Sequence, residues 1–250
     1  MTPDEYVRSV LQRYAVDTAQ ASSVAEKIAP QLRAWAGGQL NALSYAGSFA
    51  KGTGNTISTD VDIFISLRAD TSATLKEIYE SLFSRAQSEG WAPRRQNVSI
   101  GVSVAGKKID LVPGRVQSGF QNYHSLYRRK VDSWTQTNVK LHVDTVSNSG
   151  RIAEIRAIKL WRNLHGLAFP SFYLELSVIE ALKGRSTTAP ASNVLHALSD
   201  IAANIATRRI VDPANSNNVI SDDITASEKS AVATQARASA AKRTWEEIIW

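Results

Sequence analysis

The sequence predicts an α+β protein of two lobes, a mixed-sheet lobe over residues 1–148 and a helical lobe over 149–250. Two observations predict it. Between residues 43 and 112 apolar side chains recur at every second position, as in Val61, Ile63 and Ile65, then Val98, Ile100, Val102 and Val104. That is the period of strands covered on one face. From about Ser149 the spacing becomes three and four, the period of helices. With 250 residues, 43% of them apolar, each lobe has enough material for a core.

The elements follow in order. Thr2-Pro3-Asp4-Glu5 reads as a capping box with proline in the first helical turn, and Tyr6, Val7, Val10, Leu11 and Tyr14 carry a short amphipathic helix. A second helix covers Thr18 to Trp35, with a kink expected at Pro30 and a stop at Gly37-Gly38. Leu43 to Ala46 is a short strand, and 61–65 is a half-buried one. Thr74 to Glu77 caps a helix that Gly90 ends. The alternation at 98–104 breaks at Ala105-Gly106 and returns over Ile109 to Val112, a hairpin closed by Pro113-Gly114. Helices are expected over Arg151–Leu164, Phe172–Leu182 and Val194–Ala206, then a polar loop over Asp212–Asp223. Thr225 to Glu228 is a further capping box, opening an alanine-rich helix to near Trp250.

Composition excludes several classes. With no cysteine there is no disulfide, no thiolate nucleophile and no thiolate-held metal. His124, His142, His165 and His196 show no paired ligand spacing, so no zinc is expected. No secretory leader and no run of the ~18 apolar residues that span a membrane are read, so a cytoplasmic protein without membrane association is expected.

The chemistry concentrates in Gly47-Ser48-Phe49-Ala50-Lys51-Gly52-Thr53, followed after the gap from Phe49 to Thr59 by Asp60-Val61-Asp62. Residues two apart on a strand share a face, so Asp60 and Asp62 project side by side while Val61, Ile63 and Ile65 anchor the other face. Two carboxylates so close repel unless a cation lies between them, and all-oxygen ligation suits Mg²⁺ or Mn²⁺. Two such ions would form the clamp used in in-line phosphoryl chemistry. A Gly-Ser turn after a strand allows the backbone and the Ser48 hydroxyl to approach phosphate. The P-loop alternative fails, because Gly52 is followed by Thr53-Gly54 and the required lysine is missing. A lone Asp-x-Asp is also compatible with a solvent-facing edge strand; the Gly-Ser at this distance favours the cation. Asp110, the one acid between residues 90 and 131, alternates with Ile109 and Leu111. It is either a third metal ligand and partner of an attacking hydroxyl, or a surface partner of Lys107 or Lys108.

Together these residues resemble the DNA-polymerase-beta-like nucleotidyltransferase superfamily, whose pattern is Gly-Ser, about ten residues, Asp-x-Asp and a later aspartate on a neighbouring strand. The helical half looks most like the bacterial cGAS/DncV-like nucleotidyltransferases (CD-NTases), related to oligoadenylate synthetases and archaeal-type CCA-adding enzymes. The segments carrying this are 134–142 (WTQTNVKLH), Ile158-Lys159-Leu160-Trp161, Pro170-Ser171-Phe172-Tyr173-Leu174-Glu175 and the loop from Asp212-Pro213 to Asn218.

The resemblance implies a polymerase-beta-like lobe packed against a helical lobe, with Asp60, Asp62 and Asp110 binding two Mg²⁺ or Mn²⁺ ions. It implies nucleotide contacts from Gly47, Ser48, Lys51, Thr53, Lys159 and Ser171. Phe172 stacks on the base in this reading, with Tyr173 as the alternative. The activity implied is synthesis of a cyclic di- or oligonucleotide from NTPs, ATP among them, with release of pyrophosphate. The role implied is anti-phage signalling (CBASS), in which a separate effector protein reads the product. The alternative is a template-independent transferase acting on RNA ends or a small molecule; nucleic acid is not required otherwise.

The residues themselves agree in part. Lys159 lies four after Ile155 and seven after Ile152, so it points inward, where it needs an anion or else snorkels from the core edge. Ser171 either caps a helix or binds phosphate, and Phe172 and Tyr173 are equally core candidates. The net charge of +6 is local: residues 91–130 hold eight basic residues against Asp110 alone. Such a field gathers polyanions.

Overall fold

The computed structural model describes residues 1–57 and 60–250, with backbone alone at 20, 21 and 121. Ser58 and Thr59, the end of the gap before Asp60, lie outside the described residues. The chain begins with α1 (Pro3–Arg13), α2 (Thr18–Ala36), β1 (Leu40–Tyr45), α3 (Gly47–Lys51), β2 (Val61–Leu67) and α4 (Leu75–Ser88). Then come β3 (Arg94–Arg95), β4 (Ile100–Val104), β5 (Lys107–Gln117), β6 (Phe120–Arg128), β7 (Ser133–Thr137) and α5 (Val139–Ser147). The rest is α6 (Ile152–Leu164), α7 (Ser171–Ala181), α8 (Pro190–Asn204), β8 (Val211–Asp212), β9 (Asn215–Val219) and α9 (Ala226–Ala240). No described helix is long and apolar enough to cross a membrane.

Two compact units result, and they are not the contiguous lobes 1–148 and 149–250. One unit holds Asp17–Ala50 and Asp60–Val143; the other holds Met1–Val16, the segment starting at Lys51, and Asp144–Trp250. The physical reason lies in α1: Val7, Val10 and Leu11 are buried with Ile155, Trp161, Leu174, Val194 and Val232. Asp4 accepts from the Ala191 amide at 2.8 Å, and Arg156 donates to the Leu11 carbonyl at 2.7 Å. The first helix therefore completes the helical core.

In the sheet unit the order is β1-β2-β5-β4-β3, with β6 on the far part of β5 and β7 on β6. Only β2 and β5 run parallel; the other pairs are antiparallel. Val24, Ile28 and Leu32 of α2 and Ile78, Tyr79 and Leu82 of α4 cover the face bearing Val61, Ile63 and Ile65. The opposite face is covered too, since Phe64 packs with Ala46 and Leu126. β2 is thus buried on both sides over most of its length, as central parallel strands are, and not half-buried as its alternation suggests.

Other differences have local causes. Pro113-Gly114 does not close β5, which runs on to Gln117 beside β2. Its other edge pairs β4 up to Leu111 and β6 from Arg115, so Pro113 sits where that edge is unpaired and lacks no bond there. The polar stretch after Asp212 folds as the β8–β9 hairpin, with Asp212 accepting from the Ala214 amide at 2.8 Å and Asn218 at 3.1 Å. α2 runs unbroken through Pro30. α9 stops at Ala240, because the chain beyond it must return Ile248 and Ile249 to the core. All three Thr-x-x-Glu capping boxes form as read.

On β6, His124 is buried with Nε2 2.7 Å from the Ser66 hydroxyl and Nδ1 3.2 Å from the Asn122 carbonyl. Burial holds its pKa below the ordinary value. The folded chain keeps the ring neutral, so the unfolded chain takes the extra proton as pH drops below ~6.5. We therefore expect stability, read as a urea midpoint, to fall from pH 7 to pH 5, by at most ~1.4 kcal/mol per pH unit from this group. His124→Gln should remove that part of the slope; an unchanged slope contradicts the assignment.

Candidate active site

The parallel register of β2 on β5 places Asp62 directly opposite Asp110. Directly paired residues on neighbouring strands share a face, so the two carboxylates emerge together while Ile63 and Leu111 enter the core on the other side. Asp60 stands just before β2 and is exposed.

Asp110 is half-buried, and Gln96 donates to its Oδ1 at 2.9 Å. Gln96 is itself fixed by the Ser99 hydroxyl, 2.6 Å from its carbonyl oxygen. Gly101 of β4 makes the room: a Cβ there would lie 2.7 Å from Gln96 Nε2 and 3.2 Å from Asp110 Oδ1. The Asp110 pKa is pushed up, first by burial and next by the charge of Asp60; the Gln96 hydrogen bond and Arg94 act in the other direction.

The Gly-Ser turn is built onto Asp62. The Ala46 amide donates to the Asp62 carbonyl at 2.9 Å, and the chain then turns at Gly47 with φ +56°. A Cβ at Gly47 would stand 1.8 Å from Asp62 Oδ2, so only glycine lets the carboxylate lie against the turn. Ser48 follows in the first turn of α3 and is half-buried.

Asp60, Asp62 and Asp110 offer hard oxygen donors, and two of them are held side by side at a cost in repulsion that a cation would relieve. They fit Mg²⁺ or Mn²⁺ by donor chemistry. Among the described residues no three His, Cys, Asp or Glu side chains are gathered closely enough to hold an ion unaided. The third ligand position is therefore not preformed.

The remaining predicted residues lie in the helical unit, where they form a second cluster. Lys51 and Lys159 are both buried, and both ammonium groups contact Glu175, at 2.8 and 3.2 Å. Thr53 donates to Glu175 Oε1 at 2.7 Å and accepts from Lys159 at 3.2 Å. The anion that an inward lysine requires is thus Glu175. The Lys51 ammonium also sits 4.3 Å from the centroid of the Phe172 ring. Ser171 is the first residue of α7, not its cap, and its hydroxyl accepts from Arg162 at 3.1 Å. Phe172 is half-buried, while Tyr173 is wholly inside the core, edge-on to Phe169, with its hydroxyl toward the Ile205 carbonyl at 3.4 Å. A ring enclosed in this way offers no open face for stacking.

Sequence reasoning missed Gln96, Gly101, Glu175 as a charge partner, and Arg162. Gln96 lies between strands, where no periodicity marks it. Glu175 could have been found, since an acid four residues after Ser171 falls on the core side of its helix.

No family model matches the chain, and no curated protein is similar to it in sequence. Solved structures do share its fold. The structure of E. coli MS115-1 CdnC with ATP covers 98% of this chain and 96% of its own, at 19% identity and TM-score 0.76. The Bradyrhizobium diazoefficiens CD-NTase CdnG in complex with GTP covers 96% and 90%, at 12% identity and TM-score 0.78. The Elizabethkingia meningoseptica CdnE cyclic dinucleotide synthase with GTP and Apcpp covers 88% and 92%, at 14% identity and TM-score 0.64. The fold is thus that of a nucleotidyltransferase. More narrowly, the chain has the fold of the CD-NTases, and this holds over nearly its whole length.

Gly47→Ala should separate two effects. Placing an L-residue at this φ costs roughly 1–2 kcal/mol, and displacing the Asp62 carboxylate adds to that. Gly52→Ala, at φ +70° with nothing within 4 Å of its Cβ, carries the backbone cost alone. Chemical denaturation should show Gly47→Ala as the more destabilised of the two. Equal losses would mean that the Gly47–Asp62 contact carries no energy.

Proposed function

We propose that this protein is a divalent-cation-dependent nucleotidyltransferase that joins NTPs, ATP among them, into a cyclic di- or oligonucleotide. The observation that carries the reading is the Asp62–Asp110 pair beside the Gly47 turn, in a chain with the CD-NTase fold. The solved structures of that fold named above hold ATP or GTP, and one is a cyclic dinucleotide synthase.

In this reading Asp60, Asp62 and Asp110 hold Mg²⁺ or Mn²⁺. When bound, the ions neutralise the triphosphate and make an acceptor hydroxyl more acidic. The hydroxyl oxygen of one nucleotide bonds to the α-phosphorus of another, the bond to pyrophosphate breaks, and pyrophosphate leaves with its electron pair. Asp110 is the partner of the attacking hydroxyl and accepts its proton. Gly47 and Ser48 present backbone and hydroxyl to phosphate oxygens. In the helical unit, Lys51, Thr53, Lys159, Ser171 and Phe172 bind the nucleotide in this reading, the two lysines supplying positive charge and Thr53 and Ser171 hydroxyls. A separate effector would read the product in anti-phage defence.

Labelled ATP, GTP, CTP and UTP mixtures with Mg²⁺ should give a phosphatase-resistant product, identified by chromatography and mass. Linear products alone would instead support transfer to RNA or small-molecule ends, and no product from any mixture would overturn the reading. Asp60→Ala and Asp62→Ala should each lower turnover by at least about a thousandfold, the scale of losing a reaction's main charge stabilisation. Retained turnover would refute the cation assignment.

A further inference from the structure

The cluster around Glu175 is unusual in its charge balance. Three cations, Lys51, Lys159 and Arg162, act on a single carboxylate that is wholly buried. Buried ions are expected to come in balanced, fully bonded sets, because each carries a desolvation cost of several kcal/mol. Here the set holds an excess of positive charge. Its members come from three places in the chain: Lys51 ends α3, Thr53 follows it, Lys159 and Arg162 are on α6, and Glu175 is on α7.

Glu175 uses both oxygens. Oε2 takes Lys51, and Oε1 takes Thr53 and Lys159. Lys51 is thereby held against the Phe172 ring, while Lys159 is held on Thr53. One carboxylate thus fixes a cation beside an aromatic ring and a second cation on a hydroxyl. Arg162, from the side of α6, fixes the Phe169 carbonyl at 2.7 Å and the Ser171 hydroxyl.

We propose that Glu175 is a positioning residue for nucleotide binding, holding Lys51 and Lys159 in place while leaving the cluster short of one or more negative charges, which the nucleotide's phosphates supply. This rests on the nucleotidyltransferase reading. It assigns Glu175 no contact with the nucleotide; the residue acts through its two lysines.

The groups around Lys159 fix how this can be tested. Burial lowers its pKa, Arg162 and Lys51 lower it further, and Glu175 opposes them. Glu175→Gln preserves shape and an acceptor oxygen but removes the opposing charge. The ammonium then loses its proton at lower pH, and the cluster loses its attraction for phosphate as pH rises.

The experiment is initial-rate kinetics with ATP and Mg²⁺ from pH 6.5 to 9, on variants shown by circular dichroism and melting to be folded. For Glu175→Gln we expect KM for ATP to rise by about tenfold or more across this range relative to the unsubstituted protein, the scale of losing one charge-assisted contact. At pH 6.5 the two should agree within about threefold, with kcat changed less than KM. A KM–pH profile parallel to that of the unsubstituted protein overturns the proposal. Should Glu175→Gln not fold, Lys51→Gln replaces it: KM for ATP should rise by about tenfold with kcat changed less, and an unchanged KM overturns the proposal. Failure of the unsubstituted protein to turn over any NTP would overturn the functional reading itself, which is a different result.

Discussion

The sheet unit depends on one register. Had β2 paired with β5 one residue out of step, Asp62 would face Ile109 or Leu111 and its own side chain would turn toward the core. The register is held because Val61, Ile63 and Ile65 and Ile109 and Leu111 must all reach the face covered by α2 and α4. The apolar residues thereby decide where the carboxylates go. That one constraint sets Asp62 beside Asp110, brings the Gly47 turn against Asp62, and gives Gln96 and Gly101 their places around Asp110.

The same constraint explains why so much of this site is legible in the sequence. Period two is a strong local signal, and it carries Asp60, Asp62 and Asp110 with it. Gly47 is legible as a turn residue, but the reason for glycine is not local: it is a carboxylate fifteen residues further on. Signals fail where a partner decides the structure. Pro113-Gly114 reads as a stop, yet β2 holds β5 in line past it. β6 and β7 have weak alternation, with His124 and Ser66 meeting as a buried polar pair where the pattern would have apolar residues. The capture of α1 by the helical core is invisible, because an amphipathic helix states that it needs a partner and not which one.

The local basicity also takes on a more specific meaning. Of the eight basic residues in 91–130, Arg95 is committed to Glu80 at 2.7 Å, and Arg115 to the Thr71 and Ala73 carbonyls at 3.2 and 3.0 Å. Arg94 acts on Asp110. Part of the field is therefore structural, fastening the sheet to α4 and its approach, and part offsets the repulsion between carboxylates. A composition count reads charge, but only geometry separates a charge already used from one available to a ligand.

The helical unit makes the opposite choice from the one stability alone would favour. Well-packed apolar side chains in place of Lys51, Lys159 and Glu175 would avoid the desolvation of three ions, and such replacements are often neutral or stabilising by about 1–4 kcal/mol. The cluster keeps the ions, and in an unbalanced set. Lys159 has its pKa depressed by burial even with Glu175 in contact, so the carboxylate does not fully offset the cost of holding it. An imbalance of this kind is costly without an anion and less so with one. Differential stabilisation between empty and loaded states is what converts a buried charge into binding energy. On the nucleotide-binding reading proposed above, the spacing of Lys51, Thr53, Lys159 and Glu175 would store a preference for a phosphate-bearing ligand that the apolar core could not express.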